Sequence, residues 1–472
     1  MSKQKTIQSV KGMHDILPAE QAYWRYVYKK FAGLLEDYGY EKIDTPILES
    51  ADLFLCSVGE ATDIVEKEMY AFKTKGGDEL ALRPENTAGV VRAYIEQGMN
   101  VWPHPVKLWY WGPMFRHDQP QAGRYRQFYQ MGIESFGDES PAADAEAIYV
   151  ALLLLENLGF KNLVLKINSI GDQNCRPQYI KALKEFFKTK NKKLCAQCKI
   201  RLKNNVLRIL DCKEEVCRET FKEAPQFLDH LDEYCRDHFK KVIEFLDEIK
   251  APYLLDPFLV RGLDYYTHTV FEIALEEPSS TKSEIDKDTQ PATPNHDPEG
   301  VQVPYGAGKS ATGQAGNQQP TTSPAAGLTL IAGGRYNKLV SLLGGPATPA
   351  VGWASGVERV ILAMKNLNLK LPESKSQPKI FLAQLGDFAK RKSLVLFEEF
   401  RRHGIKVGTS LGRDSIKAQL RIANRLNVKF TLIIGQKEAI DKTIILREMY
   451  SGIQEVVPMS GIIEAVKKRL KS

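Results

Sequence analysis

The stretch Arg126-Gln127-Phe128-Tyr129-Gln130-Met131-Gly132-Ile133-Glu134-Ser135-Phe136 is the most chemically informative part of this 472-residue chain. Strand alternation places Tyr129, Met131 and Ile133 on one face and Gln130, Gly132 and Glu134 on the other. An amide and a carboxylate flanking a glycine, with space above the backbone, make a floor for a polar ligand. Arginines recur around it in sequence. Arg116 ends the preceding strand, Arg124 and Arg126 follow in the loop, Arg261-Gly262 and Arg335 accompany glycine turns, and Arg359 begins a helix near Gly356. Guanidinium groups beside glycine turns suit bidentate recognition of carboxylate or phosphate. A hairpin with one wet face and ordinary surface arginines would read the same way, so these residues alone leave both readings open.

Two further motifs carry less. Cys195-x2-Cys198 is followed by Cys212 and Cys217, a set that could bind structural zinc. The second pair is loosely spaced, so free thiols are the favoured reading and no metal is assigned. Gly308-Lys309-Ser310 resembles the end of a phosphate loop, but Val303 stands where its first glycine belongs, and that reading is rejected.

The elements that must position these residues are legible in outline. Residues 19–38 read as a helix with Tyr23, Val27, Phe31, Leu34 and Tyr38 on one face and Gly39 ending it. Residues 105–136 read as a hairpin with a polar loop at 117–125. Residues 171–250 become helical and rich in Lys and Glu, and strand character returns at Phe258–Ile273. Residues 278–327 are rich in Ser, Thr, Pro, Gly, Gln and Asn, with too few large apolar residues to offset ordering entropy, which predicts a disordered surface loop. After a linker at 367–378 the pattern alternates: strand 379–385, helix 388–402, strand 405–411, helix 413–427, strand 429–435. That is a small α/β domain with a largely parallel sheet.

Length implies about three domains. Hydrophobic residues at 43% and charged residues at 26% exclude collagen-like, mucin-like and wholly disordered chains. The longest apolar run, Ile148–Leu155, is far short of the roughly 20 residues that span a bilayer. The first residues lack a secretory pattern, and seven cysteines suit a reducing compartment, so a cytoplasmic protein without membrane association is expected. Net charge is +7, but residues 378–472 hold 19 Lys+Arg against 9 Asp+Glu, leaving 46 basic and 49 acidic residues elsewhere. The basic excess therefore belongs to the tail, where it favours polyanions. Arg413, Lys417, Arg421 and Arg425 recur every four residues there, opposite Ile416, Leu420 and Ala423, as a basic stripe on an amphipathic helix.

Longer matches name a family. Phe115-Arg116 with Pro120–Gln130 resembles motif 2 of class II aminoacyl-tRNA synthetases in its histidyl form. Leu259-Val260-Arg261-Gly262-Leu263-Asp264-Tyr265-Tyr266-Thr267 and Ala332-Gly333-Gly334-Arg335-Tyr336 resemble the two histidine signatures of the histidyl-tRNA synthetase family. Gly352–Arg359 resembles motif 3, and Tyr40–Glu49, with Pro46, the dimer-forming motif 1. The resemblance covers nearly the whole chain except 278–327.

It implies an α+β fold: a class II synthetase antiparallel sheet flanked by helices, with a helical insertion and a C-terminal α/β anticodon-binding domain. The catalytic domain would occupy 1–170 and 251–366 (interrupted by 278–327), the helical insertion 171–250 and the anticodon-binding domain 378–472. The implied reaction activates L-histidine with ATP, then transfers it to tRNA-His. By resemblance, the catalytic residues are Arg116, Gln130 and Arg261. Arg116, Arg124 and Arg359 would bind ATP, with Mg²⁺ bridging its phosphates and held mainly by the nucleotide. Glu85 and Thr87 would hold the histidine ammonium, Gln130 and Arg261 its carboxylate end, and Glu134, Tyr265, Tyr266 and Tyr336 the imidazole region. Arg413, Lys417, Arg421 and Arg425 would contact tRNA, and the chain would act as a homodimer.

The family's pattern is departed from at Asp118-Gln119, Asn86, Asn337 and His268; the first pair bears on ATP and acceptor-end recognition. Two alternatives share the fold: a non-catalytic paralogue regulating ATP phosphoribosyltransferase, and an RNA-binding module that senses uncharged tRNA. The basic tail and the retained Arg116, Arg261 and Arg359 argue for the enzyme.

Overall fold

Alternating apolar residues at 106–115 and 127–136 need a surface to pack on, and an eight-stranded sheet supplies it. The computed structural model describes residues 7–59, 62, 64–119, 123–276, 327–369, 371 and 378–471. It divides into two units, Met1–Lys370 and Leu371–Ser472. The sheet of the first unit runs in the spatial order Glu41–Lys42, Val106–Phe115, Gln127–Phe136, Ala350–Gly356, Thr329–Arg335, Thr267–Leu275, Leu163–Ser169, Leu254–Leu255. The two outermost pairings are parallel and all the inner ones antiparallel. A three-stranded antiparallel sheet, Leu48–Ser50, Tyr70–Lys73 and Glu79–Leu82, lies apart from it.

Helices Gln21–Asp37, Pro141–Asn157 and Val357–Asn366 pack on one another and on the sheet. Met131 and Ile133 are fully buried on that side, and Trp24 meets Tyr129 edge-on at 5.0 Å. The run Ile148–Leu155 lies inside the helix Pro141–Asn157, where core burial accounts for its composition. No helix among the described residues is long and apolar enough to cross a membrane.

Several sequence expectations are corrected. The first helix buries Trp24, Val27, Phe31 and Leu35. The expected face is thus turned at both ends, because the 3.6-residue period selects Trp24 and Leu35 over Tyr23, Leu34 and Tyr38. Strand structure returns briefly at Leu254–Leu255 and then at Thr267, not at Phe258. Residues 258–266 form turns instead, because the Asn168 amide donates to the carbonyls of Pro257 (3.2 Å) and Leu259 (3.0 Å) and holds the chain off the sheet. Between residues 171 and 250 there are helices and no strands, the longest being Arg176–Thr189 and Glu233–Glu248. The segment 278–327 falls outside the described residues except for Gly327.

In the second unit the sheet order is Val407–Thr409, Ile380–Gln384, Phe430–Ile434, Thr443–Glu448, Gln454–Pro458. The first three strands are parallel, as expected. The last two form an antiparallel hairpin that the sequence reading stopped short of, so the sheet is mixed. Arg413 precedes the helix Ile416–Arg425, whose amino end is capped by the Ser415 hydroxyl. The basic stripe on the helix is therefore Lys417, Arg421 and Arg425, all exposed.

The described residues on either side of 277–326 meet at one hairpin end: Gly327 N–H donates to Leu275 O at 3.1 Å and Leu275 N–H to Leu328 O at 3.2 Å. Loop closure costs only about 0.6 kcal/mol per doubling of length. Replacing residues 278–326 with a short turn is expected to leave the thermal midpoint unchanged or a few degrees higher. A marked fall in differential scanning calorimetry would show that the segment packs on the domain.

Candidate active site

The sheet face away from the helices is paved with small residues where strands meet. Gly132 pairs with Ala354 and Tyr110, and Gly352 with Glu134 and Gly334. Larger neighbours lie across these gaps. A Cβ on Gly132 would come within 2.4 Å of the Tyr110 phenol oxygen, and one on Gly352 within 2.0 Å of the Glu134 carboxylate. The space expected above Gly132 is thus filled by Tyr110, and the ligand space lies further along, over Gln130 and Phe128.

That space is a cavity of about 440 Å³. Arg116, Arg124, Arg261, Arg359, Glu85, Thr87, Gln130, Tyr265 and Tyr266 all line it, which brings together residues as far apart in sequence as 85 and 359. Arg116 donates through Nε to the Pro84 carbonyl at 2.8 Å, and its guanidinium carbon lies 5.4 Å from the Phe128 ring centre. Pro84 is fixed by buried Arg83, which donates to the carbonyls of Pro113 (2.9 Å) and Thr45 (2.8 Å) and to Asn86 Oδ1 (3.1 Å). Arg261 ion-pairs with Glu272 and sits 5.8 Å from the Tyr266 ring centre. Among the described residues Arg359 makes a single hydrogen bond, a long one of 3.4 Å, to the Thr329 carbonyl. Burial lowers the pKa of the Arg359 guanidinium, and the like charges of Arg124 and Arg116 lower it further. Arg124 is half-exposed and pairs with Asp118 at 3.3 Å.

Two residues that line this space carry polar atoms with no hydrogen-bond partner among the described residues. Gln130 Oε1 and Arg261 Nε are both buried and unbonded. Converging cations and unpaired polar atoms suit a polyanionic, hydrogen-bonding ligand.

Glu85 accepts from the backbone N–H groups of Thr87 (2.7 Å) and Ala88 (2.9 Å), closing the amino end of the helix Thr87–Glu96. Burial raises its pKa. Glu134 and Tyr336 are placed differently from expectation, one layer below the cavity wall. Glu134 accepts from the Thr87 hydroxyl at 2.7 Å and from the Tyr336 phenol. Burial pushes the Glu134 carboxyl up to about 8, against the pull of the Tyr336 and Thr87 hydrogen bonds. It is therefore largely neutral at pH 7. Arg335 does not reach the cavity: it is fully buried against Asp144 and the carbonyls of Asp138 and Ser140.

The sequence reading missed Glu272, Glu358, Arg208 and Asp211. Glu358 accepts both from Tyr129 N–H at 2.9 and 3.0 Å, and its neighbour Arg359 was the available signal. Glu272 faces Arg261 from the adjoining strand. Arg208 and Asp211 come from the helical segment, where composition gave no hint of contact with the cavity.

Comparison with known proteins follows the same lines. The family description "Histidyl-tRNA synthetase" matches residues 12–280, and "Anticodon binding domain" matches residues 379–469. A histidine–tRNA ligase of Pelotomaculum thermopropionicum is 40% identical over 98% of this chain and 97% of that protein. One from Dehalococcoides mccartyi is 41% identical over 98% of this chain and all of its own length. The crystal structure of apo histidyl-tRNA synthetase from Staphylococcus aureus superposes with a TM-score of 0.74 at 34% identity, covering 98% of this chain and 99% of that one.

Glu134 holds a folded pKa of about 8 against 4.5 for a free glutamate. Its contribution to stability is complete below about pH 4.5 and is lost as pH rises through 8. Carboxyl ¹³C NMR is expected to show one glutamate titrating near pH 8 that Glu134→Gln removes. Between about pH 4.5 and 8 the wild type should lose stability relative to that variant, and the difference should level off above 8. A midpoint near 4.5 would refute the burial argument. Gly352→Ala, which drives a methyl group into Glu134 and the Ile133 carbonyl, is expected to cost about 1–3 kcal/mol in urea unfolding.

Proposed function

We infer the chemistry from one premise: the chain belongs to the histidyl-tRNA synthetase family. It is a histidine–tRNA ligase, an ATP-using aminoacyl-tRNA synthetase. A histidine carboxylate oxygen attacks the α-phosphorus of ATP, and diphosphate leaves. A terminal ribose hydroxyl of tRNA-His then attacks the histidyl carbonyl, and AMP leaves. The single observation that supports assigning this to named residues is the convergence of Arg116, Arg261 and Arg359 with Glu85, Gln130 and Tyr266 on one cavity.

Arg116 holds the α-phosphate, where charge builds as the bond forms. Arg261, stacked on Tyr266 and steered by Glu272, lies between the amino acid carboxylate and that phosphate. Arg359 clamps the far end of ATP beside the adenine, and Arg124 reaches the nucleotide from the cavity rim. Mg²⁺ would be held mainly by ATP itself and would supply charge neutralisation to the phosphates, alongside the guanidinium-lined wall.

Glu85 with Thr87 takes the ammonium and Gln130 the carboxylate. Tyr265 and Tyr266 shape the imidazole end. Glu134 and Tyr336 act on the ring from below, with Thr87 giving up its bond to Glu134 as the substrate seats. A site with buried polar groups can reject isosteres by about 10⁴-fold, because the wrong ligand leaves them unpaired.

The segments 1–170 and 251–366 form the catalytic domain, with 171–250 as a helical insertion beside the acceptor arm and 378–472 as the anticodon reader. Exposed Lys417, Arg421 and Arg425 contact tRNA, with Arg413 adjoining them. The protein acts as a cytoplasmic homodimer, for which exposed Ile47 and Leu48 in the motif 1 segment offer an apolar surface. The regulatory-paralogue reading loses ground because all three guanidinium groups are retained and a segment matching an anticodon-binding domain is present.

Histidine-dependent pyrophosphate exchange tests the assignment. The wild type should exchange, and Arg261→His and Arg116→Ala should each lose about 10²-fold or more in kcat. An Arg261→His protein that exchanged normally would overturn the role given to that side chain. Replacing Lys417, Arg421 and Arg425 together by Gln should leave exchange intact and weaken tRNA binding. The slope of log K against log salt should then shrink by about 2–3, measured by filter binding.

A further inference from the structure

The helical segment between residues 190 and 220 is assembled from short pieces: Ala196–Asn204, Val206–Ile209 and Glu215–Phe221. Such pieces bury little surface individually and need something to tie them. Four sulfurs meet where they join. The Sγ atoms of Cys195, Cys198, Cys212 and Cys217 all lie within 4.8 Å of one another. Cys198, Cys212 and Cys217 are buried, and Cys195 is partly exposed.

We propose that Cys195, Cys198, Cys212 and Cys217 bind one structural zinc ion as a tetrathiolate. Zinc–sulfur bonds of about 2.3 Å arranged as a tetrahedron set sulfurs about 3.8 Å apart. Cys195 Sγ and Cys212 Sγ stand 3.9 Å apart. A disulfide would require about 2.05 Å, and all four cysteines are free. Ordinary core thiols pack as small apolar groups and have no reason to aim four sulfurs at one point.

The backbone adds the outer contacts such a centre uses. Cys198 N–H points at Cys195 Sγ (3.4 Å) and Cys195 N–H at Cys217 Sγ (3.2 Å), bonds that favour thiolate and fix its direction. Four thiolates in tetrahedral array select zinc or iron among common metals. The loose spacing of the second pair, which weakened the sequence argument, is no obstacle once a turn leading into Cys212 and a helix from Glu215 bring Cys217 back.

The ion would sit at the root of a functional loop. Residues 199–211, between Cys198 and Cys212, put Arg208 and Asp211 on the cavity wall and tie Asn205 to Asp264 at 3.1 Å. Zinc would thus hold one wall of the site in place. That consequence rests on the function proposed above; the metal binding itself does not.

The test is metal analysis of the full chain, purified under reducing conditions without added metal. About one zinc per chain is expected, falling at least tenfold in Cys217→Ser. Cobalt exchanged into the wild type should give the visible and near-ultraviolet bands of a tetrahedral tetrathiolate, so the proposal does not depend on the variant folding. A second cluster, Cys175 and Cys235 (3.7 Å apart) with Asp172 and Asp232, is the competing site: Cys175→Ser with Cys235→Ser should keep the zinc, and its loss there would overturn the assignment to Cys195, Cys198, Cys212 and Cys217. Zinc removal should slow histidine-dependent exchange by about tenfold or more. Wild-type protein without zinc and without the cobalt spectrum overturns the proposal whatever its activity, as does iron or a disulfide at these positions. Stoichiometric zinc in a protein with no exchange would instead sink the function and keep the metal site.

Discussion

Cations held out of water beside one another are the constraint on which this site is built. Burial desolvates Arg116 and Arg359, and among the described residues neither guanidinium is hydrogen-bonded to a carboxylate in the way that Arg261 is to Glu272. Each has a single backbone carbonyl, while Glu68 and Glu85 act on Arg116 through space. Neutral acceptors orient a guanidinium without cancelling its charge, so the repulsion of Arg359 by Arg124 and Arg116 is left for an anion to relieve. A polyphosphate does what the protein leaves undone, and the binding energy goes to the place where negative charge grows during the reaction.

Keeping such groups in register demands a stiff base. Small residues along the sheet let Tyr110, Glu134 and Arg83 lie flat across neighbouring strands, where any Cβ would collide with them. Buried Arg83 couples three stretches of chain, at Thr45, Asn86 and Pro113, and so sets Pro84 as an acceptor for Arg116. Arg335 does similar service from behind, tying the strand Thr329–Arg335 to Asp144 on the helix Pro141–Asn157. Of the arginines beside glycine turns, some therefore meet ligand and others build the wall, and their neighbours in sequence do not tell them apart.

That difference marks how far the sequence could be read. Strand alternation identified the two faces of 127–136 correctly, because period two is imposed by the backbone itself. The family motifs placed Arg116, Arg261 and Arg359 on one cavity, as the geometry does. What alternation could not show was depth. Glu134 sits beneath the wall because Tyr336, two hundred residues onward, reaches it with a hydroxyl. The tail hairpin Thr443–Pro458 was missed because its second strand, Gln454–Pro458, is largely exposed, which blurs the apolar period. The loop at 258–266 was misread as strand because the asparagine that lifts it, Asn168, lies far back in the sequence.

The carboxylate of Glu85 has a consequence of its own. Both its oxygens are already engaged by the first turn of the helix that follows, so its rotamer is chosen before any guest arrives. Ordering a free glutamate costs up to about 2 kcal/mol of rotamer freedom, and here folding has met that cost in advance. A cation meeting this group encounters a fixture, and one held even an ångström out of line gains nothing from waiting for it to swing.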